Sequence, residues 1–223
     1  MSNEVVTADI NLPFNVPMVL EEAKEQLNGI KLEYPVLKIP SAGSQFFEID
    51  EEPVKELSGV IIYHGPKSMY YSTKYDGSIN PPDCYSNDRT TGHKTVIDAD
   101  GTVDIRDVAC ADCPYSEFGS DTESGGKACK EKHQLYILCN NRPVPFSLLL
   151  PVSSVGALNT YATKLFNQSK FLDQVITSFT LEKTKNKSGI EYSRIVMKKV
   201  RDLTADEITI CKKYTANIKG DLV

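Results

Sequence analysis

Apolar positions recur at helical spacing in three stretches and at strand spacing in most of the remainder. "VPMVLEEAKEQLNG" (16–29) sets Val16, Val19, Leu20, Ala23 and Leu27 on one side, with Gly29 as the stop, and predicts a short amphipathic helix. "KLEYPVLKIP" and "SQFFEID" read as short strands around a Ser-Ala-Gly-Ser turn. "ELSGVIIYHG" (56–65) is a stronger strand, and "KSMYYSTKY" (67–75) follows Gly65-Pro66, which predicts a hairpin. "HQLYILCN" and "VPFSLLLPV" are strands across an Asn-Asn-Arg-Pro turn. "SSVGALNTYATKLFN" (153–167) predicts a helix with Ser153 or Ser154 as N-cap and Val155, Leu158, Tyr161, Ala162 and Leu165 inward. "VITSFTLEKT" and "EYSRIVMKKV" pair across "KNKSG" as a long hairpin, and "TADEITICKKYTANIK" opens a last helix with Thr204 and Glu207 at capping-box spacing.

From Asp76 to about Lys132 this periodicity is lost, and Gly, Ser, Asp, Asn and Pro dominate. A structureless segment of that length is improbable in a compact domain, so something other than a hydrophobic core has to order it. The element string is mainly β (α+β): antiparallel hairpins with a helix before the final pair. It suits a small OB-like antiparallel barrel with an ordered insertion and flanking helices. The corresponding division is an N-terminal extension over 1–45, an OB-like domain over 46–203 with its insertion at about 76–132, and a C-terminal helix over 204–223.

Composition adds bounds. The chain has 223 residues, 40% hydrophobic and 25% charged, which is globular and long enough to bury a core. No apolar run approaches the roughly 20 residues that span a bilayer. "MSNEVVTADINLPF" has no basic segment followed by an apolar one, so no signal peptide is expected. The expected address is the cytoplasm, where thiols stay reduced. The net charge of −5 is uneven: residues 1–60 carry eleven acids against four bases, and residues 183–201 carry seven bases against Glu191 alone. A local basic strip binds a polyanion on an acidic protein because the field acts over about 8 Å.

Six cysteines in a reducing compartment point to metal before disulfides. Cys110 and Cys113 have the spacing of a zinc knuckle, in which two thiolates on a tight turn reach one ion. The further ligands come from Cys84, Cys129 and His133. Cys84, Cys110, Cys113 and Cys129 make a closed set of four thiolates, and the alternative replaces Cys84 with His133. Cys139 and Cys211 lie among apolar residues and read as core. Four thiolates leave no open position for a catalytic water, and no hydrolase, nucleotide-binding or zinc-protease motif is present. The expectation is a binding protein, not an enzyme, with a structural Zn2+.

Single strands are held by stacked aromatic rings and by bases along the backbone track. "YHGPKSMYYSTKY" offers Lys67, Tyr71, Lys74 and Tyr75 on one hairpin, and the later hairpin offers Lys183, Lys185, Lys187, Arg194 and Lys198. The run "NPPDCYSNDRTTG … CADCPYSEFGS … GGKACKEKHQLYIL … LLLPVSSVGALNTYATKL" resembles a group of phage and prophage proteins over about residues 45–200. They share P-x-C-x-S-x-D, C-x-x-C-P, G-K-A-C-K and a Pro/Ser-led helix ending in Tyr and Leu. The resemblance implies an OB-fold, zinc-containing single-stranded DNA-binding protein of phage replication or recombination, acting in the host cytoplasm. It places the zinc ligands on Cys84, Cys110, Cys113 and Cys129. Where that pattern often has Asp-Gly, this chain has Asp88-Arg89. Single-stranded DNA, and proteins of replication or recombination, are then the expected partners, without a membrane. The alternative is a zinc-stapled structural or protein-interaction module with no nucleic-acid affinity.

Overall fold

The computed structural model of the protein describes residues 33–73, 80–139, 142–186 and 189–222, the side chains of 217–222 excepted. The helix expected over 16–29, together with Lys74, Tyr75 and Lys187, lies outside the described residues. The fold is mainly β, with antiparallel strands and two α-helices. Two short strands, β1 (Phe47–Ile49) and β2 (Glu52–Val54), pair with each other around Asp50 and Glu51, both at positive φ. The segment "KLEYPVLKIP" makes only isolated bridges, Val36 to Ser147 and Lys38 to Glu48. A 15-residue strand, β3 (Glu56–Tyr70), is followed by β4 (Cys84–Ser86), β5 (Thr91–Ile97), β6 (Val103–Ala109), β7 (Lys130–Cys139) and β8 (Phe146–Leu150). Helix α1 (Val152–Phe166), strands β9 (Val175–Lys185) and β10 (Glu191–Asp202), and helix α2 (Ala205–Leu222) complete the chain.

Pairing runs β10-β9-β3-β4-β5-β6, while β7 pairs with β3 and β8. No pairing among the described residues closes this into a barrel. Two expectations are corrected, and one segment holds more regular structure than expected. Gly65-Pro66 makes no hairpin, because β3 runs straight through it. The strand pairs with β9 over Glu56–Gly59 and with β4 over Ser68–Tyr70, so Pro66, which lacks an N–H, falls between the two stretches. Within the segment expected to need ordering, β5 and β6 form a full antiparallel ladder from Thr91↔Ala109 to Ile97↔Val103, a regular element not expected there. Asp98 and Gly101 close that hairpin, with Gly101 at φ +85° in the region glycine favours. Neither Ser153 nor Ser154 caps α1, which starts at Val152 and buries Ser154.

The chain divides into two units. The first comprises the described residues up to Tyr63, Leu135–Leu148 and those from Ala157; the second comprises His64–Gln134 and Leu149–Gly156. The first holds the core. Val60, Ile62, Leu138, Ile176, Leu203, Cys211 and Tyr214 form one buried cluster, and Leu158, Tyr161 and Leu165 line the inner side of α1. The β9–β10 hairpin keeps the expected pairing from Glu191↔Lys185 to Asp202↔Val175, with a bulge at Lys199/Arg201. In the second unit Leu150 alone among the described residues is a fully buried large apolar side chain, beside buried Ser68, Ser86 and Ser154.

The expected capping box is present at α2. The Glu207 N–H donates to Thr204 Oγ1 at 3.3 Å, and the Thr204 N–H donates to Glu207 Oε2 at 2.8 Å. Arg201 adds a bidentate pair to the same carboxylate, at 2.9 and 2.8 Å. The guanidinium first, and the Thr204 amide after it, hold the Glu207 carboxyl down to about 2 from 4.5. A depressed carboxyl contributes stability above its unfolded value that fades as pH falls toward the folded one. Glu207→Gln is therefore expected to cost about 1–3 kcal/mol at pH 7. Its deficit in urea midpoint relative to wild type should shrink between about pH 4.5 and 2. Equal midpoints at pH 7 would refute this account of the helix start.

Candidate functional site

The four predicted ligand cysteines all belong to the second unit. Cys84 opens β4, held between Tyr70 of β3 and Lys94 of β5. Cys110 follows β6 and donates its N–H to Thr90 O at 2.9 Å. The chain then turns tightly, with the Cys113 N–H on Cys110 O at 3.3 Å and the Ser116 N–H on Cys113 O at 2.9 Å. Cys129 returns to this turn through its N–H on Tyr115 O at 2.8 Å. The intervening loop is organised by side chains. Ser120 Oγ donates to Glu117 O at 2.7 Å and accepts the Ala128 N–H at 2.9 Å. Asp121 accepts from Ser124 Oγ at 2.6 Å and from Lys130 Nζ at 2.7 Å, and the lysine above all holds its carboxyl far below the usual range.

Gly92 shows how closely the thiols approach. A Cβ added there would lie 3.1 Å from Cys84 Sγ, 3.1 Å from Val108 Cγ2 and 3.4 Å from Cys110 Sγ. Burial first, then Cys110 and Cys113, push the Cys84 thiol up; burial, then Cys113 and Cys84, do the same to Cys129. The sulfurs of Cys84 and Cys129 are thus within electrostatic reach of the other three, and all four cysteines are half-buried and free. Among the described residues no three Cys, His, Asp or Glu side chains meet at the spacing of a bound metal ion. His133 has a different neighbour: its Nε2 lies 3.1 Å from His64 Nδ1, the rings stacked at 5.3 Å. Cys139 and Cys211 are buried in the first unit, as expected of core residues, and burial pushes each thiol to about 12.

Around the cysteines lie rings that the sequence did not single out. Tyr115, inside the Cys113–Cys129 loop, stacks on Tyr70 with centroids 4.0 Å apart and remains 41% exposed. Phe118 is 83% exposed, with Lys127 Nζ 5.1 Å from its ring centroid. The predicted Tyr71 is 41% exposed, and its hydroxyl reaches Met69 Sδ at 3.8 Å. A polar Gly/Ser-rich loop flanking two aromatics was the signal available for Tyr115 and Phe118.

The predicted basic residues fall into both units. Lys67, in the second, is half-buried, and desolvation lowers its pKa. In the first, the hairpin bases are paired: Lys183 and Lys185 with Glu191 at 2.6 and 3.5 Å, and Arg194 with Glu182 through its Nε at 2.6 Å. Lys199 meets Asp202 at 3.1 Å. Lys198 alone of the predicted residues on β10 is exposed with no ion pair among the described residues. The basic strip is therefore largely balanced, by Glu191 within the counted window and by Glu182, Asp202 and Glu207 on either side of it. Exposed pairs of this kind are individually weak.

Comparisons with protein-family models, with curated proteins and with solved structures find no match. No helix among the described residues is long and apolar enough to cross a membrane.

The close approach at Gly92 yields a direct test. Gly92→Val is expected to lower stability by about 1–3 kcal/mol through overpacking against Cys84, Cys110 and Val108. A chemical-denaturation curve indistinguishable from wild type would show that the thiols do not crowd this backbone.

Proposed function

We propose that the chain is a β-sheet protein whose second unit binds single-stranded nucleic acid. Within that class the reading is an OB-like, non-sequence-specific single-stranded DNA-binding protein of phage replication or recombination. One zinc ion, held by Cys84, Cys110, Cys113 and Cys129, staples its cysteine segment. The observation that carries this reading is the set of exposed rings Tyr71, Tyr115 and Phe118 in the unit that also contains Lys67. Stacked rings and nearby cations are what a single strand requires. The zinc assignment is supported by the Cys84 and Cys110 sulfurs lying together beside the Gly92 backbone and by the near-lack of apolar burial among the described residues of the unit containing them. A unit that cannot bury enough apolar surface is commonly held by metal or disulfides. The donor set suits zinc: thiolates bind it at about 2.3 Å, and four of them complete its tetrahedron.

A second reading, the protein-interaction module, is favoured by Ile97, Val103 and Ile105, all exposed on the β5–β6 hairpin, with Ile97 and Val103 directly opposed. A fluorescence-anisotropy titration of a labelled single-stranded oligonucleotide separates the two. The first reading expects binding that weakens with salt, and a loss of about 1–3 kcal/mol on Tyr115→Ala or Phe118→Ala. No binding at low salt would abandon it for the interaction module. For the metal, atomic emission should find one zinc per chain, lost in Cys113→Ser. Protein purified from zinc-supplemented medium that carries no bound metal would remove the staple from the reading.

A further inference from the structure

Two lysines of the second unit stand out by what surrounds them. Lys67 on β3 and Lys132 on β7 are both half-buried, and neither has an ion pair or a side-chain hydrogen bond among the described residues. Strands β3 and β7 pair, and because Gly59 meets Leu138 while His64 meets His133 they run antiparallel, which sets Lys67 and Lys132 at neighbouring positions on one face. Burial first, and Lys67 after it, lower the Lys132 pKa. Ammonium groups withdrawn from water are ordinarily paired. Here the nearby carboxylate, Glu131, is already taken by Lys127 Nζ at 2.5 Å and by Arg89 Nη1 at 3.8 Å. Besides burial, Lys67 is the group that acts on Lys132, and Arg89, which bonds the Lys132 main chain, is a further cation.

Arg89 braces this arrangement. It stands at φ +62°, a left-handed conformation that costs a side-chain-bearing residue on the order of 1 kcal/mol. From there its Nη2 donates to the main-chain oxygen of Lys132 at 2.6 Å, which fixes the strand carrying that lysine. Its Nε is enclosed and has no acceptor. Lys67 also shares a strand face with Met69, and Tyr71 leans on Met69 just beyond the strand end. A cation and an exposed ring therefore follow one another along one face of β3 and its continuation.

We propose that Lys67 and Lys132 together hold one backbone phosphate of the bound single strand, with Arg89 as the positioning residue that fixes Lys132. This rests on the single-strand reading and adds to it the phosphate contact and two residues, Lys132 and Arg89. A phosphodiester fits because it brings a compact negative charge with several acceptor oxygens and keeps that charge at all ordinary pH values. Being part of the sugar-phosphate chain, it carries no base identity, so the contact adds affinity without sequence preference.

The experiment compares wild type with the Lys67→Gln/Lys132→Gln double variant. A labelled oligo-dT and a labelled oligo-dA are titrated by anisotropy at several salt concentrations. The expected result is weaker binding of both oligonucleotides to the same degree, with the magnitude of the log K against log salt slope reduced by about 0.7. An unchanged slope in a variant that still binds would overturn the phosphate site and leave the single-strand reading intact. In parallel, inorganic phosphate is titrated while the lysine side-chain NMR resonances of Lys67 and Lys132 are followed. Saturable movement of both supports the site, even where the wild type fails to bind oligonucleotide and the single-strand reading falls alone. No movement, with no oligonucleotide binding, overturns both. Thermal unfolding supplies the last arm. The double variant should melt no lower than wild type, since it loses two unpaired, half-buried charges. A clearly lower Tm would reveal an acidic partner within the chain and overturn the proposal.

Discussion

The second unit has to hold its shape with almost no apolar interior. Leu150 is its one fully buried large apolar side chain among the described residues, while the first unit buries Phe47, Phe146, Phe179, Tyr214 and a full set of Leu and Ile. What remains for the second is hydrogen bonding. The β5–β6 ladder supplies the regular part. Carboxylates supply the irregular part: Asp88 accepts from Ser86 Oγ and from the Thr90 and Thr91 N–H groups at 2.7 to 3.0 Å, and Asp121 gathers Ser124 and Lys130. Such contacts fix local turns but contribute only about 0.5–1.5 kcal/mol each, because water competes for every one of them. The four cysteines stand at the start of β4, just after β6 and just before β7. A zinc ion there, as proposed, would supply the cohesion that burial does not.

This scarcity has a functional side. A segment without a core has no place to hide its rings, so Tyr115 and Phe118 stay at the surface of a loop whose backbone is nonetheless pinned at both ends. On the proposed reading, fixed, exposed rings would suit stacking, because little further ordering would be lost when a base arrives. The first unit shows the opposite arrangement. Its core is apolar, its last helix is capped by Thr204 and Glu207, and its hairpin charges answer one another across the strands.

How far the sequence could be read follows from the range of the forces involved. Helix α2, the β9–β10 hairpin and the β7 and β8 strands were legible because their determinants are local: a capping box, a period of two, a turn. Gly65-Pro66 was misread because its hairpin signal is also local, whereas β3 changes partners there, a fact of tertiary pairing. The β5–β6 hairpin was missed although Asp100-Gly101 and the alternation of Thr95, Val96 and Ile97 were present, overshadowed by the polar composition around them. The basic strip looked unbalanced because Glu182, Asp202 and Glu207 fall outside residues 183–201, and register decides which acid meets which base. Spacing singled out Cys110 and Cys113 and left Cys84 and His133 as alternatives; the closeness of Cys84 and Cys110 to Gly92 was not readable, because it depends on two strands meeting.

Lys132 stands three residues beyond Cys129, on the strand that the cysteine loop hands back to the sheet. Whatever holds Cys129 against Tyr115 therefore also sets where β7 begins, and with it the place of Lys132 beside Lys67. Arg89 repeats this logic from the other side: it lies three residues from β4, which Cys84 opens, and its guanidinium ends on the main-chain oxygen of Lys132. The two lysines are thus tied to the thiols through the backbone at both ends, without touching them. In a unit held so sparsely, a ligand set and a phosphate contact joined in this way would be formed or lost together. That coupling is what would make a structural metal matter to binding on an otherwise acidic chain.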